Sequence, residues 1–389
     1  MKIIIKIIAV ALLIGMSLSL FAACKRKAPV EFEATYLGVK GYEAGDTNKD
    51  INEGYVYSFE KNGSEITYKV ADINDYPIQN ALKKGYVYRV TVENGVVTAV
   101  TEITEGSDND FVPRVCGVPG EKTLKNFLMT ALEPVGTVLY IYGGGWDWQD
   151  VGSSEQARTL GVSDDWIKFF NEHDENYTYK DPDPEISYYP YNGYNEYYYA
   201  GLDCSGYLGW VIYNTFETEN GNEGYVGLST KFAKRLSEQG WGEWTQDIKA
   251  LNETNGYVMR PGDVMSINGH VWISLGTCSD GSVLIVHSTP SRSRANKPGG
   301  GVQISAVGSD KNCQAFVLAE KVMSEYYPRW FERYPALLSD PGLYFTFEGD
   351  DAGRFTWFTD GSSGGLTDPD QIQKMSPEEV LDVLFGENS

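Results

Sequence analysis

The stretch from Tyr257 to Pro290, "YVMRPGDVMSINGHVWISLGTCSDGSVLIVHSTP", constrains the fold of this chain more than any other. Its β-branched, aromatic and aliphatic residues fall in runs too short for helices, and turn signals punctuate them at Pro261, Gly262 and Asp263 and again at Asp280 and Gly281. Such spacing predicts successive strands of one antiparallel sheet. The stretch also holds two of the chain's three histidines, His270 at the start of one strand and His287 at the end of the next. Side-chain direction alternates along a strand, so an even-numbered loop keeps both rings on one face. A loop from Thr277 to Asp280 sets residue 270 directly against 287, with β-carbons about 4.5 to 5.5 Å apart, within reach of an imidazole-to-imidazole hydrogen bond. His173 lies in "DDWIKFFNEHDENY", an acidic helix end, and reads as a solvated surface histidine.

A second stretch, "YYYAGLDCSGYLGWVIYN", sets Cys204 between Asp203 and Ser205 where a turn gives way to an apolar helical pattern. A cysteine that only fills a core needs neither an acid neighbour nor a helix start. The positive end of a helix favours a thiolate, so the reading is a nucleophile with a depressed pKa. Nucleophile, imidazole base and a third polar group that fixes the base's tautomer are the parts of covalent hydrolytic catalysis.

The 389 residues make room for two or three units. The first, "MKIIIKIIAVALLIGMSLSLFAAC", carry Lys2 and Lys6, an apolar run and then small residues, the layout of an export signal. The end of that run resembles the lipobox of bacterial lipoproteins, with Phe21 where leucine is usual. It implies removal of 1–23 and a lipid on Cys24 that holds the chain to the outer face of the cytoplasmic membrane; an uncleaved anchor helix is the alternative. Residues 24–31 read as a linker. In 32–106, "GYVYSFEKNG" and "GYVYRVTVENG" alternate and close on Asn-Gly, a hairpin signal that predicts a barrel or sandwich of five or six strands. Within it Asp46, Asn48 and Asp50 have calcium-loop spacing, but Ile51 and Tyr57 stand where such a loop needs glycine and glutamate, so a polar turn is expected. Between 176 and 199 a tyrosine-rich segment broken by prolines reads as the rim of a cleft. From 321 to 389 the pattern is an aromatic helix, a hairpin-like stretch and a helix capped at Ser376, taken together as an accessory extension that covers the preceding unit.

Thirty-two basic against 54 acidic residues give a formal net charge of −22. Without clustered Lys and Arg a nucleic-acid partner is excluded. The glycines of "LYIYGGGW" lack the pattern of a phosphate cradle and read as sites of close backbone approach. No spaced cluster suggests a metal, and no cofactor is implied. With Cys24 assigned to lipid and Cys204 to chemistry, any disulfide joins two of Cys116, Cys278 and Cys313.

Together these motifs resemble the NlpC-type bacterial cell-wall cysteine peptidases, relatives of papain. "LDCSGYLGWVIY" is similar to their Asp-Cys-Ser-Gly helix start. "RPGDVMSINGHVWISLG" looks like their Pro-Gly-Asp turn and histidine strand, and "VLIVHST" like the strand that delivers the third catalytic residue. The resemblance implies an α+β papain-like unit over 110–320 in which Cys204, His270 and His287 act together and Tyr140 helps hold the reacting carbonyl. The implied partner is the peptidoglycan stem peptide, cut at the γ-D-glutamyl bond to the diamino acid, with Asp203, Ser205, Trp146 and Tyr199 as candidate substrate contacts. The same thioester chemistry also serves an acyl-transferase or amidase, and a non-catalytic wall-binding lipoprotein is a third reading. The interval between Tyr140 and Cys204, which contains the tyrosine-rich segment, is longer than the family usually has.

Overall fold

The computed structural model describes residues 29–40, 56–69, 82, 85–103, 112–145, 160–174, 176, 198–216, 227–247, 258–361 and 364–386. Cys24, Trp146, the 46–50 turn and all of the tyrosine-rich segment except 176, 198 and 199 lie outside the described residues. The chain divides into two compact units, one of Met1–Ile78 with Lys84–Thr104 and one of Gln79–Lys83 with Glu105–Ser389.

The first unit is a closed barrel of five strands: β1 (Val30–Lys40), β2 (Val56–Lys61), β3 (Ser64–Lys69), β4 (Val87–Glu93) and β5 (Val96–Glu102), ordered β1-β2-β3-β5-β4. Two of its hairpins turn on Asn62 with Gly63 and on Asn94 with Gly95, all four at positive φ. That is the backbone demanded by the tight turns whose twist matches the strands. Strict alternation in β4 buries Tyr88, Val90 and Val92 and exposes Val87, Arg89 and Glu93. Tyr36 sits among the rings of Tyr57, Phe59 and Tyr88, at 6.0, 5.5 and 6.5 Å between centroids.

The second unit is mixed α+β. Its helices are α1 (Leu124–Leu132), α2 (Asp164–Glu172), α3 (Cys204–Phe216), α4 (Phe232–Glu238), α5 (Gln314–Tyr326), α6 (Pro328–Arg333), α7 (Pro341–Tyr344) and α8 (Pro377–Phe385). Its strands are β6 (Gly242–Thr245), β7 (Val264–Ile267), β8 (His270–Thr277), β9 (Val283–Arg292), β10 (Pro298–Val307), β11 (Leu338–Ser339) and β12 (Gly353–Trp357), in one sheet ordered β11-β10-β9-β8-β7-β12-β6. Residues 271–276 and 283–289 are buried throughout, which is why both stretches read as near-continuous apolar runs rather than alternating ones.

Two expectations for the C-terminal stretch are corrected here. Residues 321–389 are not an accessory addition: β12 is an interior strand, paired with β6 on one side and β7 on the other, and all five of its residues are buried. The expected hairpin over 342–361 also does not form. Pro341 opens the one-turn α7, and β12 finds its partners far earlier in the chain, from Gly353 paired with Ser266 to Trp357 paired with Gly242. α8 begins at Ser376 with a complete capping box to Glu379. The four described cysteines, Cys116, Cys204, Cys278 and Cys313, are free thiols.

Candidate active site

The start of α3 is fixed by hydrogen bonds on three sides. Asp203 Oδ1 accepts from the Gly206 amide at 2.8 Å and from Ser205 Oγ at 2.9 Å, which is the geometry of a helix cap. Asp203 Oδ2 accepts from the Gly143 amide at 3.2 Å, while the Asp203 amide donates to the Gly144 carbonyl at 3.0 Å. One step earlier, the Leu202 carbonyl accepts from Ser288 Oγ at 2.6 Å and the Leu202 amide donates to the Leu139 carbonyl at 3.2 Å. The glycines here are sites of close approach. A β-carbon on Gly144 would lie 2.3 Å from the Gly201 carbonyl oxygen, and one on Gly206 would lie 2.3 Å from that of Gly144. Asp203 and Ser205, candidate substrate contacts in the sequence, are therefore engaged in positioning the cysteine.

Cys204 is 6% exposed, and its Sγ–H is directed at the Gly269 carbonyl, 4.0 Å away. The Val271 amide also faces the sulfur. The thiol thus lies against the backbone on both sides of His270. Burial, the larger effect, and the Asp203 charge push the thiol up to about 12, although the Val271, Ser205 and Cys204 amides pull the other way. The expected depressed pKa is not found: the helix end does favour the thiolate, but removal from water outweighs it.

His270 and His287 share a face by a route the sequence did not indicate. The last pair of the β8–β9 hairpin is Thr277 with Val283, so the loop is the five residues 278–282 rather than four. An odd loop alone would send the rings to opposite faces. A bulge between Ser274 and Gly276 inserts one residue and restores the parity, with Gly276 at φ 118. Continuing the register from Ile273 and Val286, His270 faces Thr289, and His287 is its diagonal neighbour. Diagonal partners remain within reach of long side chains. His270 Nε2 and His287 Nδ1 are 2.9 Å apart, and His287 Nε2 is 3.0 Å from Ser305 Oγ.

The hydrogen-bond chain has one tautomeric assignment that leaves His270 able to act as a base. His270 is half-buried at the start of β8 and His287 is fully buried; burial lowers His270 to about 4 and holds His287 well below its usual value, so both rings are neutral at pH 7. A base must have an unprotonated nitrogen toward the thiol, which puts the His270 proton on Nε2, donated to His287 Nδ1. His287 then carries its proton on Nε2 and donates it to Ser305 Oγ. His287 and Ser305 are both fully buried.

Tyr140 is buried on a segment that runs beside β10: its amide donates to the Gly300 carbonyl at 2.8 Å, next to the rung that joins Leu139 to Leu202. Tyr199 is 7% exposed, in the short turn Tyr198–Ala200 before the cysteine, and belongs to the buried interior rather than to an open rim. His173 is half-buried rather than solvated: its Nδ1–H donates to the Phe169 carbonyl at 2.6 Å and its ring lies 3.9 Å from that of Phe169, tilted by 35°.

Two residues of the site escaped sequence reasoning. Ser305 is a lone hydroxyl in the buried strand β10, and a polar residue between Ile304 and Ala306 is its only local signal. Tyr344, on α7, packs its ring 5.7 Å from that of His270, 6.1 Å from that of His287 and 6.1 Å from that of Trp272. Compared with protein-family models, curated proteins and solved structures, the chain matches none.

Proposed function

We propose that this protein is a cell-envelope cysteine peptidase of the NlpC type, with a papain-like catalytic unit, that hydrolyses peptidoglycan stem peptides at the bond between the γ-carboxyl of D-glutamate and the diamino acid. The observation that carries the reading is a thiol at a helix start, held against the backbone on either side of His270, whose ring is linked through His287 to Ser305.

In this reading His270 Nδ1 takes the thiol proton as the sulfur attacks the carbonyl carbon. A neutral thiol and a neutral imidazole suit this coupling: the proton moves as the bond forms, and no resting ion pair is required. The oxyanion is held by the Cys204 N–H, with Tyr140 as second donor. His270 returns the proton to the leaving amine, the tetrahedral adduct collapses to a thioester, and a water deprotonated by His270 releases the new carboxylate. His287 acts by keeping the His270 proton on Nε2. Export, and a lipid on Cys24 that keeps the catalytic unit at the membrane's outer face, belong to the same proposal.

Digestion of a purified stem peptide in ¹⁸O-enriched water tests it. Hydrolysis places one ¹⁸O in the released carboxylate; a product that carries none, with the acyl group on an added amine, would make the protein a transferase instead.

A further inference from the structure

We propose that Tyr344 is a positioning residue of the Cys204 site: its ring is the roof that limits the access of water to the paired imidazoles and fixes the His270 ring against that of His287. The proposal rests on the assignment of His270 as the base.

The geometry is specific to this tyrosine. Its ring meets the His270 ring nearly edge-on, at 68° between planes, and meets the His287 ring at 64°. Edge-to-face packing of this kind adds attraction beyond that of area burial. At its far end the hydroxyl lies near the side chains of Ser339, on β11, and Thr289, the β9 residue that faces His270 in the continued register. The phenol is also near enough to Cys204 for a charge on that sulfur to act on it. One residue thus touches the base, its partner and the neighbourhood of the nucleophile.

The chain around Tyr344 is built to hold it there. β11 pairs with the end of β10, and the Ser339 carbonyl accepts from the Gly308 amide at 3.1 Å. Asp340 caps α7 through the Gly342 amide at 2.7 Å. Phe345 is buried in a cluster with Met265, Ile267, Trp272 and Ile285, on the histidine-bearing face of the sheet. Beyond it, Glu348 accepts from Asn268 Nδ2 at 2.9 Å, at the β7–β8 turn beside His270. Leu343, in contrast, is 70% exposed, so the one-turn α7 turns its other side to solvent.

The groups that face His270 are few. β9 contributes His287 and α7 contributes Tyr344, while on α3 the Cys204 thiol meets the Gly269 carbonyl, next to His270 in the chain. β7 contributes the apolar Ile267 and Met265. The turn Ser229–Lys231 contributes the Thr230 hydroxyl, which accepts from the Gly269 amide at 3.3 Å, while its Lys231 is paired with Asp351 at 3.4 Å. No carboxylate contacts the imidazole among these, so removal of the roof changes the hydration of His270 more than any pairing it makes.

The test uses Tyr344→Ala, Tyr344→Leu and Tyr344→Phe in the full chain, with two readouts that need no substrate: the NMR titration of His270 and the rate of Cys204 alkylation by iodoacetamide. In Tyr344→Ala the His270 midpoint is expected to rise from about 4 toward the solvated value of about 6.5, with alkylation faster by on the order of tenfold. Tyr344→Phe keeps the ring and should stay near wild type in both readouts. Tyr344→Leu keeps apolar volume beside the Phe345 anchor but withdraws the flat ring; it should fall between, and it decides the matter if the alanine variant does not fold. An unshifted His270 midpoint in the folded alanine or leucine variant overturns the proposal, as does a phenylalanine variant that behaves like alanine. Because neither readout involves peptide cleavage, a roof effect in a protein that cuts no stem peptide would retain Tyr344 as positioning residue and remove the peptidase reading.

Discussion

Replacing Ser305 by alanine removes the last acceptor of the chain that runs from His270 through His287, and its effect can be worked from the geometry. His287 Nε2 is 3.0 Å from the hydroxyl, both residues are fully buried, and in the alanine variant the Nε2–H has no partner in their place. Leaving a buried donor unpaired costs about 1 to 3 kcal/mol. His287 can avoid that cost by moving its proton to Nδ1, which then confronts His270 Nε2. That nitrogen must become the acceptor, so the His270 proton shifts to Nδ1, the atom that has to receive the thiol proton. At 1.36 kcal/mol per decade, the competent tautomer falls in population by roughly fivefold to 150-fold. The assay is kcat/KM on a purified muropeptide, together with the ¹⁵N shifts of both imidazoles. A rate within twofold of wild type, with His287 still protonated at Nε2, would refute the relay, whatever the variant's stability.

His287→Gln should retain measurable activity, since its amide can accept from His270 and donate to Ser305; His287→Ala should lose more, and equal losses would remove His287 from the base's support. Gly276→Ala places a side chain at φ 118, costs about 1 to 3 kcal/mol, and should lower the melting temperature while disturbing the bulge that puts both histidines on one face; an unchanged melting curve with the rings still paired would refute that role. Wild-type Cys204 should react with iodoacetamide more slowly than the exposed Cys116, because burial holds its thiol at about 12; mass mapping of the label checks this, and faster labelling of Cys204 would contradict it. Burial holds Glu133 at about 7 against 4.5 in the unfolded chain, so the folded protein keeps a proton the unfolded chain has released, and Glu133's contribution to stability should decline as pH rises between those values; an NMR midpoint for this carboxyl near 4.5 would contradict the assignment.

How much of this could be read from the chain depends on the range of the interactions. Local patterns sufficed for the Asn-Gly turns of the barrel, for the start of α3 at Cys204 and for the α8 cap, because each is decided within a few residues. The shared face of His270 and His287 was legible, but not its cause. A four-residue loop and a five-residue loop with a bulge give the same parity, and only the left-handed Gly276 distinguishes them. β12 was misread because "GRFTW" has no neighbour in sequence with which to pair; its partners are strands formed far upstream. Tyr344 was hidden for the same reason, in a segment whose aromatic residues looked like one more hairpin. The thiol's pKa was misjudged because a helix end is visible in sequence and the depth of burial is not.

The central claim is that Cys204 and His270 cut peptidoglycan stem peptides, and mass analysis of a muropeptide digest tests it most directly. Wild-type protein should release fragments with a new free amino terminus on the diamino acid and a new carboxylate on D-glutamate. Folded Cys204→Ala and His270→Ala should release neither. Equal release by wild type and Cys204→Ala, or an unaltered muropeptide profile with the folded wild-type protein, would contradict it.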